Sequence, residues 1–219
     1  MGSLSKPKGL RTPRFDYRDW QEAYRDLADI VAHLVRDDEL PTRWNDIITS
    51  IWTVRVAGAS DPAPEAYKGG YVLNFQNDRS DIVYFNIQLS HMVDTTLPLE
   101  FHVHCTVKDN NTGNVRWALT HSWAGIGSVF PAATTEPVPT GYVDVAVAAN
   151  SLDKHLLHEV VAQIAPPAGN TISAVLICSL TRLGAADSYA GDVLVTSFDF
   201  HEPRNTARGS QLEAAKWDR

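Results

Sequence analysis

Residues 81–124 constrain the fold of this chain more than any other stretch, because apolar and polar residues alternate along it. Alternation with a period of two puts successive side chains on opposite faces of a β-strand. Each run of the pattern therefore predicts a strand with one apolar side. In the middle run the apolar side holds Leu97, Leu99, Phe101, Val103, Cys105 and Val107, and the polar side holds Glu100, His102, His104 and Thr106.

A short segment from Asp109 to Gly113 follows this middle run. It is rich in Asp, Asn and Gly, which tolerate the left-handed dihedral angles that hairpin loops require. After it the alternation resumes, and the shared face holds Val115, Trp117, Leu119, His121 and Trp123. The pattern predicts one long antiparallel hairpin from these two strands.

The period of two continues from Trp44 almost to the polar C-terminal tail, with proline, glycine and small residues between the runs. Many short strands without an intervening helical pattern predict an antiparallel sandwich or barrel. One run, 154–164, is ambiguous because it would also suit a short helix. The predicted strands are 48–56, 71–75, 81–89, 97–107, 114–124, 142–149, 155–164, 171–183 and 192–201.

Composition limits the possible functions. The chain has 219 residues, 44% of them hydrophobic and 21% charged, which suffices for a packed core. A net charge of -7 argues against a dedicated nucleic-acid binder, because phosphates require a basic face. With no spanning apolar run and no signal-peptide pattern, we expect a soluble protein made in the cytoplasm. Cys105 and Cys178 lie in predicted strands, where buried free thiols are favoured over a disulfide.

Two segments precede the predicted sheets. Residues 1–14 form a basic, proline-bearing arm that cannot make a core, so it is either a disordered tail or an anchor on a partner. Residues 15–40 carry one apolar stripe at helical spacing, which predicts an amphipathic helix that packs on the sheet or on a sister helix. The predicted partner contacts of the arm are Lys6, Lys8, Arg11 and Arg14, and the helix stripe is Tyr17, Trp20, Tyr24, Leu27, Val31 and Leu34. The sandwich is assigned to residues 41–202 and a polar tail to residues 203–219.

His102 and His104 are the strongest candidates for chemistry. On one face of a strand they lie about 7 Å apart, a spacing found in metal sites such as those of cupin enzymes. The glutamate that follows such a pair in cupins is missing here, and His91 or His121 would have to supply a third ligand. We therefore prefer a hydrogen-bonded pair on an interface and predict no metal and no cofactor.

Other catalytic signatures are missing from the sequence. It contains no nucleophile elbow, no phosphate-binding loop and no dinucleotide fingerprint. Ser90-His91 and Asp199-x-His201 could be combined into a triad, but eight histidines make such a coincidence easy. We predict no catalytic residue.

Several short motifs resemble those of virion structural proteins from tailed bacteriophages. The resemblance runs from about Trp44 to Lys216; it departs from the family at Ser90, where proline is expected, and at Cys105, where an aromatic residue is expected. The N-terminal helix lies outside it. The motifs are Trp44-Asn45-Asp46, Gln88-Leu89-Ser90-His91, Phe101-His102-Val103-His104, Gly113-Asn114-Val115-Arg116-Trp117 with Trp123-Ala124, Ser173 to Arg182, Tyr189 to Val193, Phe198-Asp199-Phe200-His201, Gly209-Ser210 and Lys216.

The resemblance implies a jelly-roll-like β sandwich that assembles as a trimer on a phage particle and carries no catalytic residue. We expect a capsid decoration, or cement, protein that contacts itself and the major capsid protein or other virion proteins, without membrane or direct nucleic-acid contact. The predicted subunit-interface residues are His102, His104, Trp117 and Trp123. The alternatives are a tail or fibre component, a cupin-like metalloenzyme that uses His102 and His104, and a carbohydrate-binding sandwich.

Overall fold

The computed structural model describes residues 43–56, 58, 60–167 and 173–204. Within this part of the chain, eleven strands and one short 3-10 helix (Gly184–Ala186) make up the regular structure, so the predicted mainly-β antiparallel sandwich is confirmed for these residues. The strands are β1 (Arg43–Ser50), β2 (Ala63–Tyr67), β3 (Gly70–Phe75), β4 (Ser80–Gln88), β5 (Leu99–Val107), β6 (Gly113–Ala124), β7 (Thr134–Glu136), β8 (Val143–Val147), β9 (Leu156–Ile164), β10 (Val175–Leu183) and β11 (Val193–Arg204).

The strands form two antiparallel sheets that pack as a jelly-roll-like sandwich. The six-stranded sheet has the order β2-β3-β11-β5-β9, and β1 pairs with β11 along the edge that β3 also uses. The five-stranded sheet has the order β4-β10-β6-β7, with β8 paired to β6. Each connection between consecutive strands from β3 to β6, and again from β8 to β11, crosses from one sheet to the other. β11 is the centre of the larger sheet, because it pairs with β1, β3 and β5.

The core lies between the sheets, and β5 and β6 contribute to it the apolar faces predicted from their alternation. In β5 the residues Leu99, Phe101, Val103, Cys105 and Val107 are all fully buried, as the alternation requires. Aromatic rings fill the centre: Phe85 lies 4.6 Å from Phe198 between ring centroids, and Phe101 lies 4.7 Å from Phe200. The two cysteines are free and buried, which confirms the expectation of unpaired thiols.

The predicted hairpin of β5 and β6 is wrong. β5 pairs with β11 and β9 in one sheet, whereas β6 pairs with β10, β7 and β8 in the other. The segment 108–112 thus bridges the two sheets as an arch. Both strands have a full apolar face. An arch packs these two faces against each other across the core, whereas a hairpin would place them side by side in one sheet.

The remaining strand predictions differ mainly at their ends. β2 and β7 are strands that the alternation does not predict, and β7 has only three residues. The ambiguous run 154–164 is strand β9. β1 begins at Arg43 and ends at Ser50, so the strand predicted over 48–56 is wrong beyond residue 50, where the chain turns. β11 continues to Arg204, two residues past the predicted end of the sandwich.

Several expectations fall on residues outside the described part. The basic arm with Lys6, Lys8, Arg11 and Arg14, the helix over residues 15–40, and residues 205–219 of the tail all belong to this category. They stay predictions. Within the described residues no helix is both long and apolar enough to cross a membrane.

A buried arginine ties three segments of the sandwich together. Arg182, on β10, donates from Nε to Oδ2 of Asp187 at 2.9 Å, from Nη1 to the carbonyl of Phe75 at 2.8 Å and from Nη2 to the carbonyl of Tyr189 at 3.2 Å. Its side chain is fully buried, and that of Asp187 is nearly so. A buried guanidinium is tolerated only when its charge and its donors are satisfied in this way.

Candidate functional site

The outer face of the six-stranded sheet carries a dense group of histidines and carboxylates. The strand register explains why they meet, since residues that oppose each other in neighbouring strands point to the same side of the sheet. Asp199 of β11 opposes His102 of β5, and His201 of β11 lies between Asp46 of β1 and Glu100 of β5. We call Asp46, Glu100, His102, His104, His155, Asp199 and His201 the histidine cluster.

Asp199 is the centre of the cluster and is 2% exposed. Its Oδ1 accepts a hydrogen bond from Nε2 of His104 at 2.8 Å, and its Oδ2 lies 3.2 Å from Nε2 of His201. The Nδ1 of His102 is 3.9 Å from the same Oδ2, too far for a hydrogen bond. One carboxylate thus attracts three imidazoles.

The contact between His104 and His155 fixes the tautomers on this side of the cluster. Nδ1 of His104 and Nε2 of His155 lie 2.8 Å apart, and their rings are nearly parallel. Because a carboxylate only accepts, Nε2 of His104 carries a proton toward Asp199. In the neutral ring Nδ1 then accepts the proton of His155 Nε2. His104 is therefore fully engaged, with neither nitrogen left for another ligand.

Electrostatics favours a charged cluster around Asp199. The Asp199 carboxylate raises the pKa of His102 above its ordinary value, although burial of the ring acts in the opposite direction. At 3.9 Å we ascribe this rise to attraction between charges. Burial alone raises the pKa of Asp199, but His102 and His104 outweigh it and the net shift is downward. Asp199 is thus biased toward its ionised form, and its negative charge favours a positive charge at the position of His102.

Two sets of residues in the cluster bring three possible metal ligands together. One consists of Glu100, His102 and His201, and the other of Asp46, Asp199 and His201; within each set the ligand atoms lie within 4.8 Å of one another. The sets share only His201, whose two ring nitrogens face different carboxylates: Nδ1 lies 3.2 Å from Glu100, and Nε2 lies near Asp199 and Asp46.

The other residues suggested for a metal or an interface lie elsewhere in the sandwich. Nε2 of His91 lies 3.1 Å from the hydroxyl of Ser173, and His121 lies 3.5 Å from Glu136 in the other sheet, so neither completes the predicted ligand set. Trp117 and Trp123, predicted at a subunit interface, point into the core and are 0% and 3% exposed. Their side chains are not offered to a neighbouring subunit. The other two predicted interface residues, His102 and His104, belong to the histidine cluster, and His104 has the more exposed side chain of the two.

Sequence reasoning identified the pieces of this site but not their assembly. His102 and His104 were linked by their spacing, and Asp199 and His201 by theirs, yet nothing local says that residues 102 and 199 oppose each other. Asp46, Glu100 and His155 were not connected to either pair. The usable signal is the parity of β5 and β11, each of which has its histidines and carboxylates on the side opposite its buried phenylalanines.

We expect Asp199→Asn to lower the pKa of His102, because the substitution removes the negative charge that favours the imidazolium form. An NMR pH titration of the His102 ring, in the presence of a chelator, measures this shift. Glu136→Gln is the matched control, since it neutralises a carboxylate beside His121 in the other sheet and leaves the pKa of His102 unchanged. An unaltered His102 pKa in Asp199→Asn would contradict the assignment.

Comparisons with known proteins give only a general likeness to other β sandwiches. No family model matches the chain, and no curated protein matches it. Similar solved structures include the CBM22-1–GH10 modules of the Clostridium thermocellum endo-1,4-beta-D-xylanase 10B (11% identity, 74% of this chain and 28% of that chain, TM-score 0.37). Another is a mannan-recognising carbohydrate-binding module (8% identity, 72% and 88% covered, TM-score 0.34). A third is infectious bursal disease virus, Gx strain (11% identity, 81% and 43% covered, TM-score 0.24). Likenesses at this level say nothing about function.

Proposed function

We propose that this chain is a non-enzymatic structural protein of a tailed-bacteriophage particle, and specifically a decoration protein that stabilises the capsid by bridging its subunits. Such a protein acts by mass action: it binds the assembled shell better than the separate subunits, so it shifts the equilibrium toward assembly. The proposed partners are other copies of this chain, as a trimer, and the major capsid protein or another virion protein.

The observation that carries the proposal is the loop between β6 and β7, residues 125–133. It presents Ile126, Val129 and Phe130 to solvent, with exposed fractions of 63%, 90% and 43%. Three large apolar side chains within five residues are costly to leave in water. A group of exposed large apolar side chains this close in sequence supports a site where another protein binds.

A second exposed apolar surface lies at the six-stranded sheet, whereas the loop between β6 and β7 belongs to the five-stranded sheet. Trp52 and Tyr71 are both largely exposed and meet edge to face, with ring centroids 5.7 Å apart. Beside them a recess is lined by apolar residues, among them Ile51, Val56 and Val72. Aromatic residues are enriched at the centres of protein interfaces. A bridging protein needs at least two separate binding surfaces, and these two belong to different sheets.

The sequence adds two further supports. The short motifs from Trp44 to Lys216 resemble those of phage virion proteins. The segment 1–14, which lies outside the described residues, is basic although the whole chain has a net charge of -7, and such an arm would add contacts to an acidic shell surface.

The proposal is tested by adding the purified full chain to phage heads that lack it. We expect the protein to cosediment with the heads and to raise the temperature at which they rupture. Val129→Asp should abolish both effects, because a carboxylate at the centre of a dry interface is strongly disfavoured. The isolated variant should keep the stability of the wild type, since Val129 is almost fully exposed.

The matched control is Leu152→Asp, which places the same charge at another exposed apolar position outside the loop. It should bind the heads as the wild type does. Binding by Val129→Asp as tight as that of wild type would contradict the role of the loop. Location of the protein on tails, with heads intact in its absence, would replace the capsid role by that of a tail or fibre component.

A further inference from the structure

We infer that the histidine cluster holds one divalent transition-metal ion, with Glu100, His102 and His201 as its protein ligands and Asp199 as the residue that orients them. This inference does not depend on the proposed role in a virion, since the ligands all come from one copy of the chain.

The ligand set has the composition of a transition-metal site. Two imidazoles and one carboxylate suit zinc and its neighbours, whereas magnesium and calcium prefer sites made of oxygen atoms. Ligand atoms around a tetrahedral zinc ion lie about 3.3 Å apart, given metal–ligand bonds of about 2.0–2.1 Å. Oε2 of Glu100 and Nδ1 of His201 are already 3.2 Å apart. One ring nitrogen of His102 lies within 4.8 Å of both atoms, so all three ligands border the same small space.

An unsatisfied polar atom in the cluster is an independent sign of a missing ligand or partner. His102 is 4% exposed, and its Nδ1 has no hydrogen-bond partner among the described residues. Leaving a buried nitrogen unpaired costs about 1–3 kcal/mol, so native proteins seldom do so without a reason. The His102 and His201 rings lie edge to face with centroids 4.2 Å apart, which keeps the two imidazoles together at the same place.

The surroundings also provide the outer shell that metal-bound histidines require. When Nδ1 of His201 faces the ion, its Nε2–H donates to Oδ2 of Asp199 at 3.2 Å. A carboxylate behind a metal-bound imidazole fixes the ring and increases its basicity. Asp199 is itself held by the hydrogen bond from His104. Exposure of the cluster on the sheet surface leaves a further coordination position for water or for a side chain from another protein.

The second set, Asp46, Asp199 and His201, is the less suitable site. It offers a single imidazole, and Asp46 is mostly exposed, so the ion would be held chiefly by carboxylates. The two sets make different predictions for substitutions of Glu100 and Asp46, and these predictions distinguish them.

The experiment uses the purified full chain after removal of metals with a chelator. Calorimetric titration with zinc chloride should show one saturable site per chain, and the same titration with magnesium chloride should show none. Glu100→Gln and His201→Gln should each weaken zinc binding by more than about tenfold. Thermal unfolding of each variant in chelator establishes that it is folded. Glu100→Gln is the more conservative of the two substitutions, because glutamine has nearly the same shape and the position is partly exposed.

His121→Gln is the matched control, because it removes another histidine beside a carboxylate, Glu136, in the other sheet. It should bind zinc like the wild type, and so should Asp46→Asn. The inference is overturned if wild-type protein shows no saturable zinc site or if Glu100→Gln and His201→Gln bind as tightly as wild type. Loss of binding in Asp46→Asn with none in Glu100→Gln would also overturn it.

Discussion

Replacing Arg182 with leucine is expected to lower the free energy of unfolding by about 3–5 kcal/mol, because it breaks a buried ion pair by removing one partner. The carboxylate of Asp187 would remain buried without its counter-charge, and the carbonyls of Phe75 and Tyr189 would each lose a hydrogen bond. Leucine fills part of the volume but satisfies none of these acceptors. Chemical denaturation at neutral pH measures the loss.

Arg116→Leu is the matched control. Arg116 also forms a two-point contact with a carboxylate, donating from Nε and Nη2 to Asp144 at 2.7 and 2.9 Å. That pair is partly exposed, so water screens the charges and solvates whatever remains after the substitution. The decrease in the free energy of unfolding should be clearly smaller for Arg116→Leu than for Arg182→Leu. Equal losses in the two variants would show that burial of the Arg182 pair does not govern its contribution.

The second large effect is a loss of stability in mild acid that originates at His158. Nδ1 of His158 accepts a hydrogen bond from Nε1 of Trp117 at 3.0 Å, a contact that joins the two sheets through the core. Burial, with a contribution from the charge of Arg182, lowers the pKa of His158 to about 4. Protonation would place a charge in the core and turn the acceptor of the Trp117 bond into a donor.

The sign follows from proton binding. With a pKa near 4 in the folded chain and about 6.5 in the unfolded chain, His158 is protonated mainly in the unfolded state between these values. Stability is therefore lost as the pH falls from about 6.5 toward 4. Between pH 7 and pH 5 this one group should remove about 2 kcal/mol. His102, whose pKa is raised, acts in the opposite direction and partly offsets the fall.

Comparison with His158→Gln isolates the effect, because the other titrating groups are common to both proteins. Glutamine can still accept from Trp117 but does not titrate. We expect the stability advantage of wild type over this variant to shrink by about 2 kcal/mol from pH 7 to pH 5, as measured by denaturation at each pH. An advantage that is the same at both pH values would contradict a buried, neutral His158.

The sequence predicted the local character of the strands well, for a physical reason. Burial on one side of a sheet imposes a strict alternation, so the core residues Phe101, Val103 and Cys105 could be read directly from their parity. The same reasoning failed where two arrangements satisfy the same local pattern. A five-residue turn after β5 suits either a hairpin or an arch between sheets, and only the packing of both apolar faces decides between them.

In the candidate site, too, the local pattern was predictable and the long-range pairing was not. The spacing of His102 and His104 indicated that they share a face, which the structure confirms. Their meeting with Asp199 depends on the pairing of strands about a hundred residues apart, and no local rule fixes that register. His91 was a reasonable third ligand by residue type alone, but its segment carries it to Ser173.

The position of β11 in both the sheet and the chain has a consequence for how the protein is made. This strand pairs with β1, β3 and β5, yet it comes last of the strands between residues 43 and 204. As the chain leaves the ribosome, the edges of these three strands that will pair with β11 stay unpaired until β11 has been synthesised. Nascent chains stalled before residue 193 should therefore remain sensitive to protease and prone to associate through these open edges.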